Sequence, residues 1–120
     1  MELKLSKKEI KELVEFLLTK INKDEYGIVP RYKYTAFITR YRLDQELLKK
    51  QVLLKISVDN FISEEFDNDT IKYGIEKVAI FNVECELTDY HGKNKSLKVY
   101  IKIKEKTDKL IMISVHEAER

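Results

Sequence analysis

The chain is poor in the residues that break, bend or cross-link a polypeptide. Of 120 residues, three are glycine, one is proline and one is cysteine, and tryptophan is absent. A lone cysteine excludes a disulfide framework and a zinc site built on cysteine pairs. So few glycines leave no glycine-rich phosphate-binding loop, and the lack of repeats or biased tracts argues against a disordered linker. We therefore expect residues 1–120 to fold as one domain.

The chain also lacks a charge imbalance and a long apolar run. Its 23 basic and 21 acidic residues give a formal net charge of +2, which provides no global attraction to nucleic acid or to an anionic membrane. No stretch approaches the roughly 20 apolar residues of a membrane-spanning helix, and no secretion signal is indicated. The sequence therefore predicts a cytoplasmic protein without membrane association.

The clearest pattern lies in residues 77–117, where apolar and polar residues alternate in three consecutive runs. A period of two is typical of a strand with one face in a core and the other in water. A turn at residues 88–95 would place Cys85 opposite Val99. A second turn, after the middle run, would place Val115 opposite Val99 as well. We expect a three-stranded antiparallel meander.

The amino-terminal region predicts an amphipathic helix that begins at Ser6. Ser6 and Glu9 have the capping-box spacing, in which each side chain accepts a hydrogen bond from the backbone amide of the other residue. Apolar residues then recur at three- and four-residue spacing, which indicates a helix packed against a core. These residues are Ile10, Leu13, Val14, Leu17 and Ile21.

Two further strands are predicted between this helix and the meander. Residues 31–43 are rich in β-branched and aromatic side chains, and residues 51–59 alternate between apolar and polar. Joined by a turn, the two runs would form a hairpin in which Phe37 faces Ile56. The residues between them also fit a short helix capped by Asp44, so both alternatives stay open.

Together these elements predict an α+β fold, with the amino-terminal helix packed on a four- to five-stranded antiparallel sheet. The element order resembles that of cystatin-like and nuclear-transport-factor-like proteins, in which a curved sheet wraps one helix. Gln51-Val52 begins like the cystatin hairpin signature, but Leu53-Leu54-Lys55 departs from it and supplies no glycine. The resemblance therefore assigns no role to any residue. Proteins of this architecture include enzymes, inhibitors and scaffolds, so it does not indicate a function.

An acidic segment in the connection before the meander is the first candidate site. Its carboxylates are Glu64, Glu65, Asp67 and Asp69. The segment lacks the central glycine and terminal glutamate of a calcium loop, so metal binding is not expected. Protein interfaces favour aromatic anchors. We therefore predict a protein-binding surface made of these carboxylates and two tyrosines, Tyr32 and Tyr34.

The outward side of the middle strand is the second candidate site. Lys98, Tyr100, Lys102 and Lys104 alternate with the apolar residues of that strand. Tyrosine between lysines is the arrangement that binds single-stranded nucleic acid, because the ring stacks on a base while lysines contact phosphates. Lysines at outward positions also keep a sheet soluble. Nucleic-acid binding is therefore the alternative to protein binding.

No catalytic, cofactor or metal site is indicated. His91 lies in a predicted turn, His116 near the end of the last strand and Cys85 on a core face, so they do not have zinc-site spacing. Our leading hypothesis is a small non-catalytic module that binds another protein, like an inhibitor, an immunity protein or a phage-encoded anti-defence protein. A small enzyme with a pocket between helix and sheet, and a homodimer formed through an exposed sheet face, are further alternatives.

Overall fold

The structure is a computed structural model that describes residues 2–66, 77–106 and 108–119. Residues 2 and 3 are described as backbone only. Three α-helices are present in these ranges: α1 (Lys7–Asn22), α2 (Tyr32–Arg40) and α3 (Gln45–Gln51). The strands are β1 (Glu2–Leu3), β2 (Tyr26–Ile28), β3 (Phe61–Phe66), β4 (Lys77–Thr88), β5 (Asn94–Lys104) and β6 (Leu110–Glu117). None of these helices has the length and apolarity needed to cross a membrane.

The strands form one sheet in the order β1-β3-β4-β5-β6-β2. Neighbouring strands are antiparallel, except that β2 pairs with β6 in parallel. The predicted α+β class, an amino-terminal helix with a mostly antiparallel sheet, is confirmed. The two edge strands have only two and three residues, which limits the backbone that is open to pairing with another chain.

Helix α1 begins and packs as its sequence predicts. The backbone N–H of Glu9 donates to Ser6 Oγ at 3.2 Å, and the Ser6 N–H donates to Glu9 Oε1 at 3.1 Å, which completes the capping box. On the apolar side of the helix, Leu17 and Ile21 are fully buried. Burying each such side chain stabilises the fold by about 1.5–3 kcal/mol. The apolar stripe therefore fixes α1 on the core.

The pairing of β4 with β5 keeps the predicted faces but differs in register. Val83, not Cys85, lies opposite Val99, and Cys85 lies opposite Leu97. The predicted register is therefore wrong by two residues. Since side chains alternate with a period of two, a shift by two buries the same residues, and the apolar pattern cannot distinguish the two registers. The tight turn after Thr88 decides between them.

The predicted antiparallel pairing of β5 with β6 is confirmed, but its register is wrong. Val115 lies opposite Ile101, and Val99 lies opposite Glu117. The register shifts between Lys102 and Ile103 because of a bulge or similar irregularity. Such an irregularity changes which residues of the partner strand face the core, and it is not visible in the alternation of the sequence.

The predicted strand at residues 31–43 is wrong, because residues 32–40 of this segment form helix α2. Phe37 and Tyr41 are four residues apart, both are buried, and their ring centroids are 5.4 Å apart. The spacing of the apolar residues fits a helix as well as a strand here, and packing overrides the β propensity of the side chains.

The predicted strand at residues 51–59 is wrong as well. Residues Leu53–Lys55 and Val58–Asn60 form short 3₁₀ helices, so Phe37 and Ile56 do not face each other across a hairpin. The alternative of a short helix within residues 44–50 is confirmed as α3. Its cap is the predicted one, because the Leu47 N–H donates to a carboxylate oxygen of Asp44 at 2.8 Å.

The hydrophobic core lies between the helices and one face of the sheet, which we call the inner face. Val83, Val99 and Ile101 are fully buried on that face. Helix α2 packs against β6. The Tyr41 hydroxyl donates to Glu117 Oε1 at 2.5 Å, and burial with this bond raises the pKa of Tyr41 to about 12. This contact ties the end of α2 to β6.

Candidate functional site

A groove lies between the exposed side of α2 and the turn that joins β4 to β5; we call it the hairpin groove. Its volume is about 980 Å³, and most of the exposed surface of its lining residues is apolar. Tyr32 and Ala36 contribute from the helix, and Tyr90 and His91 contribute from the turn. The groove is thus formed by two segments that are distant in sequence.

The helix side of the groove is formed by one face of α2. Tyr32, Thr35, Ala36 and Thr39 are spaced three and four residues apart, so they lie on the same side of the helix. The Thr39 hydroxyl donates to the Thr35 carbonyl at 2.8 Å, and the Thr35 hydroxyl donates within the same helix at 3.2 Å. Both hydroxyl protons are therefore already used, and three of the four side chains that form this floor are small.

The turn side of the groove is fixed by hydrogen bonds. The Asp89 carboxylate accepts from the backbone N–H groups of His91 and Lys93, each at 2.9 Å. The bond from Lys93 is the main cause that holds the pKa of Asp89 below its ordinary value. The Tyr90 N–H donates to the carbonyl of Arg40, the last residue of α2, at 2.8 Å. These bonds tie the turn to the helix, so both walls are formed before any ligand binds.

Two tyrosines dominate the exposed aromatic surface. Tyr32 is 86% exposed and Tyr90 is 53% exposed, the highest values among the exposed large apolar side chains of the described residues. Both line the hairpin groove. The ring centroids of Tyr90 and His91 are 4.0 Å apart. Because water-exposed aromatic surface becomes a strong contact when a partner covers it, these side chains are candidate anchors.

The groove carries an excess of positive charge. Its cationic lining residues are Arg40, Arg42, Lys93 and Lys95. The carboxylate of Asp89 is the lining acid; it is held by backbone donors, and its second oxygen lies 3.8 Å from Lys95 Nζ. Arg42 and Lys93 form no ion pair with any residue that the structure describes. Two of the four cations are therefore open to an external anion.

The backbone at Arg42 is in the left-handed conformation, with φ at +49°. The Arg42 N–H donates to the Thr39 carbonyl at 3.3 Å, and the Leu43 N–H donates to the Ile38 carbonyl at 2.9 Å. This pattern is a Schellman motif, in which glycine is favoured at the left-handed position. An arginine there costs about 1 kcal/mol.

Helix α1 ends in the same motif, and the left-handed residue there is Asp24, with φ at +58°. Its side chain has a visible structural role, because Asp24 Oδ1 accepts from Lys49 Nζ at 2.8 Å and so links α1 to α3. Arg42 occupies the equivalent position in α2 without an ion pair among the described residues. The left-handed backbone completes the hydrogen bonds that end α2, whereas the Arg42 side chain, which lines the groove, has no such structural role among the described residues.

The predicted acidic surface begins in a strand, not in a loop. Glu64 and Glu65 belong to β3, and Asp67 and Asp69 lie outside the described residues. Glu64 is only 3% exposed, so its side chain cannot contact a partner in this conformation.

Glu64 instead pairs with Glu105, which is partly buried. Burial is the main cause that raises the pKa of Glu105 to about 8, followed by its hydrogen bond to Glu64 and by the charge of Glu64. Lys77 Nζ lies 4.0 Å from Glu64 Oε1. Glu105 Oε2 is buried and has no hydrogen-bond partner within the described part of the chain. Glu105 is therefore protonated at neutral pH.

The structure separates the two predicted tyrosines. Tyr32 projects into the hairpin groove, whereas Tyr34 is half-buried and packs against the core. Burial raises the pKa of Tyr34. It lines a different pocket beside Tyr26 and Lys49. Tyr32 is therefore exposed at the groove, and Tyr34 is a packing residue.

The four residues of the predicted nucleic-acid face do lie together. Lys98, Tyr100, Lys102 and Lys104 occupy the outer side of β5, because the residues between them are fully buried on the inner face. The Tyr100 ring, however, stacks on His116 of β6, with centroids 5.3 Å apart and an interplanar angle of 28°. Glu84 lies directly opposite Lys98. The ring is half-buried, and part of the positive charge has an acidic neighbour.

A smaller recess adjoins this outer face. Its volume is about 290 Å³, and its cationic lining residues are Arg31, Lys102, Lys104 and Lys106, placed around three apolar side chains. Among the residues that the structure describes, no carboxylate lines this recess. The recess thus extends the basic surface beyond the residues that the sequence singles out.

The remaining reactive side chains are not arranged for chemistry in the described ranges. Burial raises the pKa of the Cys85 thiol to about 11, so the thiol is protonated and unreactive at neutral pH. No group of three or more histidine, cysteine or acidic residues is placed to hold a metal ion in the part of the chain that the structure describes. Comparison with protein-family models, with curated proteins and with solved structures gave no match.

Sequence reasoning missed most of the hairpin groove. The sequence pattern places Arg40 and Arg42 in a strand, and Tyr90 and Lys93 in a turn. The sequence contains one signal, because Tyr90 and His91 precede Gly92 and glycine favours tight turns. The φ of +81° at Gly92 shows that the turn forms there. An aromatic pair at the tip of a hairpin is an exposed aromatic surface, whatever the rest of the fold is.

Proposed function

We propose that this protein is a small, non-catalytic, cytoplasmic module that binds another protein through the hairpin groove. One observation carries the proposal: the two most exposed tyrosines of the described residues, Tyr32 and Tyr90, line the same groove. Tyrosine and arginine are the residues in which interface binding energy is concentrated. Inhibitors, immunity proteins and phage-encoded anti-defence proteins act by contacts of this kind.

The rigidity of the groove supports the proposal. The turn is held by Asp89 and by the hydrogen bond from Tyr90 to Arg40, so a ligand need not order the walls. A preformed surface avoids the entropic cost of ordering loops on binding. The place where an enzyme of this architecture would have its pocket, between helix and inner face, contains fully buried side chains such as Leu17 and Phe81.

A double substitution of the tyrosines tests the proposal. The tagged protein and its Tyr32→Ala/Tyr90→Ala variant would be used to capture partners from native host lysate, with nuclease and at high salt. Ile62→Ala/Phe16→Ala is the matched control, because both residues are exposed apolar side chains outside the groove. We expect a nuclease-resistant protein partner whose recovery falls at least about tenfold in the tyrosine variant and is unchanged in the control.

The basic recess favours a second candidate function, nucleic-acid binding on the outer face. In the same experiment, this candidate predicts recovery of nucleic acid, with strong salt dependence, that is reduced by Lys102→Ala and not by the tyrosine variant. Recovery of that kind without a nuclease-resistant protein would contradict the protein-binding proposal. Circular dichroism of each variant would confirm that it folds.

A further inference from the structure

We infer that the hairpin groove takes an acidic segment of the partner protein, one that also carries an apolar side chain. This inference rests on the proposed function and adds the chemistry of the ligand. Two features of the groove carry it: cations without an ion-pair partner among the described residues, and a floor of small side chains between the tyrosines.

The charge of the groove selects an acidic ligand. Asp89, the one carboxylate among the described lining residues, is already engaged by two backbone N–H groups, and Lys95 Nζ lies 3.8 Å from its second oxygen. Arg42 and Lys93 are left without an ion pair among the described residues. Complementary charge speeds encounter and rejects partners of the wrong sign. An arginine also offers two parallel N–H donors to a carboxylate, which a neutral segment would leave unpaired.

The conformation of Arg42 points the same way. Its left-handed backbone would be relaxed by glycine, yet a long cation stands there. The matching residue of α1, Asp24, uses its side chain to bind Lys49. The equivalent use for Arg42 is a contact with a group that is not part of the described chain, and the charge of Arg42 requires that group to be an anion.

The floor of the groove favours a peptide over single-stranded nucleic acid. Ala36 and the two threonines give a small, mostly apolar surface whose hydroxyl protons are used within the helix. One face of the Tyr90 ring lies against His91. Nucleic-acid grooves instead combine a continuous cationic track with several open ring faces. An aliphatic or aromatic side chain set between carboxylates fits both the floor and the cationic rim.

Three labelled probes test the inference by fluorescence anisotropy with the full-length protein. They are a peptide of alternating glutamate and leucine, the same peptide with glutamine in place of glutamate, and an oligothymidylate. We expect the acidic peptide to bind at least about tenfold more tightly than either of the other two. Amide chemical-shift changes should concentrate in α2 and in residues 89–95.

Charge-reversed variants complete the test. Arg42→Glu/Lys93→Glu should weaken acidic-peptide binding by at least about tenfold, whereas Lys8→Glu/Lys11→Glu, on the exposed side of α1, should leave it unchanged. Equal binding of the glutamine peptide, tighter binding of the oligothymidylate, or no binding of the acidic peptide at about 1 mM would overturn the inference. If a captured protein depends on the tyrosines but not on Arg42 and Lys93, the proposed function stands and this inference falls; if it depends on neither pair, both fall.

Discussion

Two carboxyl groups with little contact with water, Asp89 and Glu105, respond to the fold in opposite ways. Asp89, in the β4–β5 turn, has its pKa held below the ordinary value, chiefly by the hydrogen bond from the Lys93 N–H. Glu105, beyond the end of β5, has its pKa raised to about 8, chiefly by burial. The difference shows that shielding from water does not by itself decide the charge of a carboxyl group. The hydrogen-bond donors that point at the carboxyl group decide whether it is charged.

Asp89 and Glu105 lie at opposite ends of β5, and their surroundings differ in the hydrogen-bond donors that they offer to a carboxylate. Asp89 accepts hydrogen bonds from two backbone groups, so its negative charge stabilises the turn. Glu105 faces Glu64, another acid, and one of its oxygens is buried without a partner among the described residues. The site that we propose for binding lies at the first end, where the fold supports a fixed charge.

The largest effect is expected from Asp89→Ala, which removes the acceptor of two N–H groups. The melting temperature should fall by roughly 5–10 °C at pH 7, and the groove should lose its fixed wall. Because the folded pKa of Asp89 is lowered, its stabilisation is present above the unfolded value of 3.8 and is lost as the pH falls through the folded value. Thermal melts from neutral to acidic pH would show this. A variant as stable as wild type would refute the bracing role, and Asp89→Asn is the conservative control.

A smaller effect of opposite sign is expected from Glu105→Gln. The folded pKa of Glu105, about 8, lies above its ordinary value of 4.5. Stability from this group is therefore full below about pH 4.5 and is lost as the pH rises through about 8. Glutamine cannot ionise, so the variant should exceed wild type by about 1 kcal/mol near pH 9, after allowance for solvent screening. Urea unfolding across this range is the measurement, and parallel curves for the two proteins would contradict the assignment.

The smallest effect is expected from Glu64→Gln. It removes the neighbouring charge, which contributes less to the shift of Glu105 than burial does. The pKa of Glu105 should therefore fall but stay above 4.5, which a carboxyl-carbon NMR titration would detect. A return to 4.5 would show that the neighbouring acid, not burial, controls this end of the sheet.

The sequence predicts those parts of the fold that have only one way to bury their apolar residues. The capping box and stripe of α1 and the alternation in β4 and β5 are of this kind. Residues 31–43 and 51–59 are not, because their apolar residues suit a helix or a strand, and contacts with the rest of the chain decide. The register between paired strands is not predicted by the apolar pattern either, since a two-residue shift leaves every side chain on the same face.

The candidate site was less predictable than the fold. Tyr32 was singled out for its residue type, but its exposure depends on the helix that the pattern missed. Arg40 and Arg42 join the turn residues Tyr90 and Lys93 only after α2 forms and the Tyr90 N–H bonds to it. A site shared by two distant segments has no local spacing in the sequence, so only the three-dimensional structure can place it.

The parallel pairing of β2 with β6 has a consequence for the order in which the chain can fold. Tyr26 lies opposite Leu110, so more than 80 residues of chain separate the two paired positions. During synthesis on a ribosome, β2 is completed well before its partner β6 is made. Contacts between such distant segments form slowly because a long loop must close first. Until then, α1 and β2 are exposed with part of their packing surface uncovered, and this interval is when the growing chain is most open to chaperones and proteases.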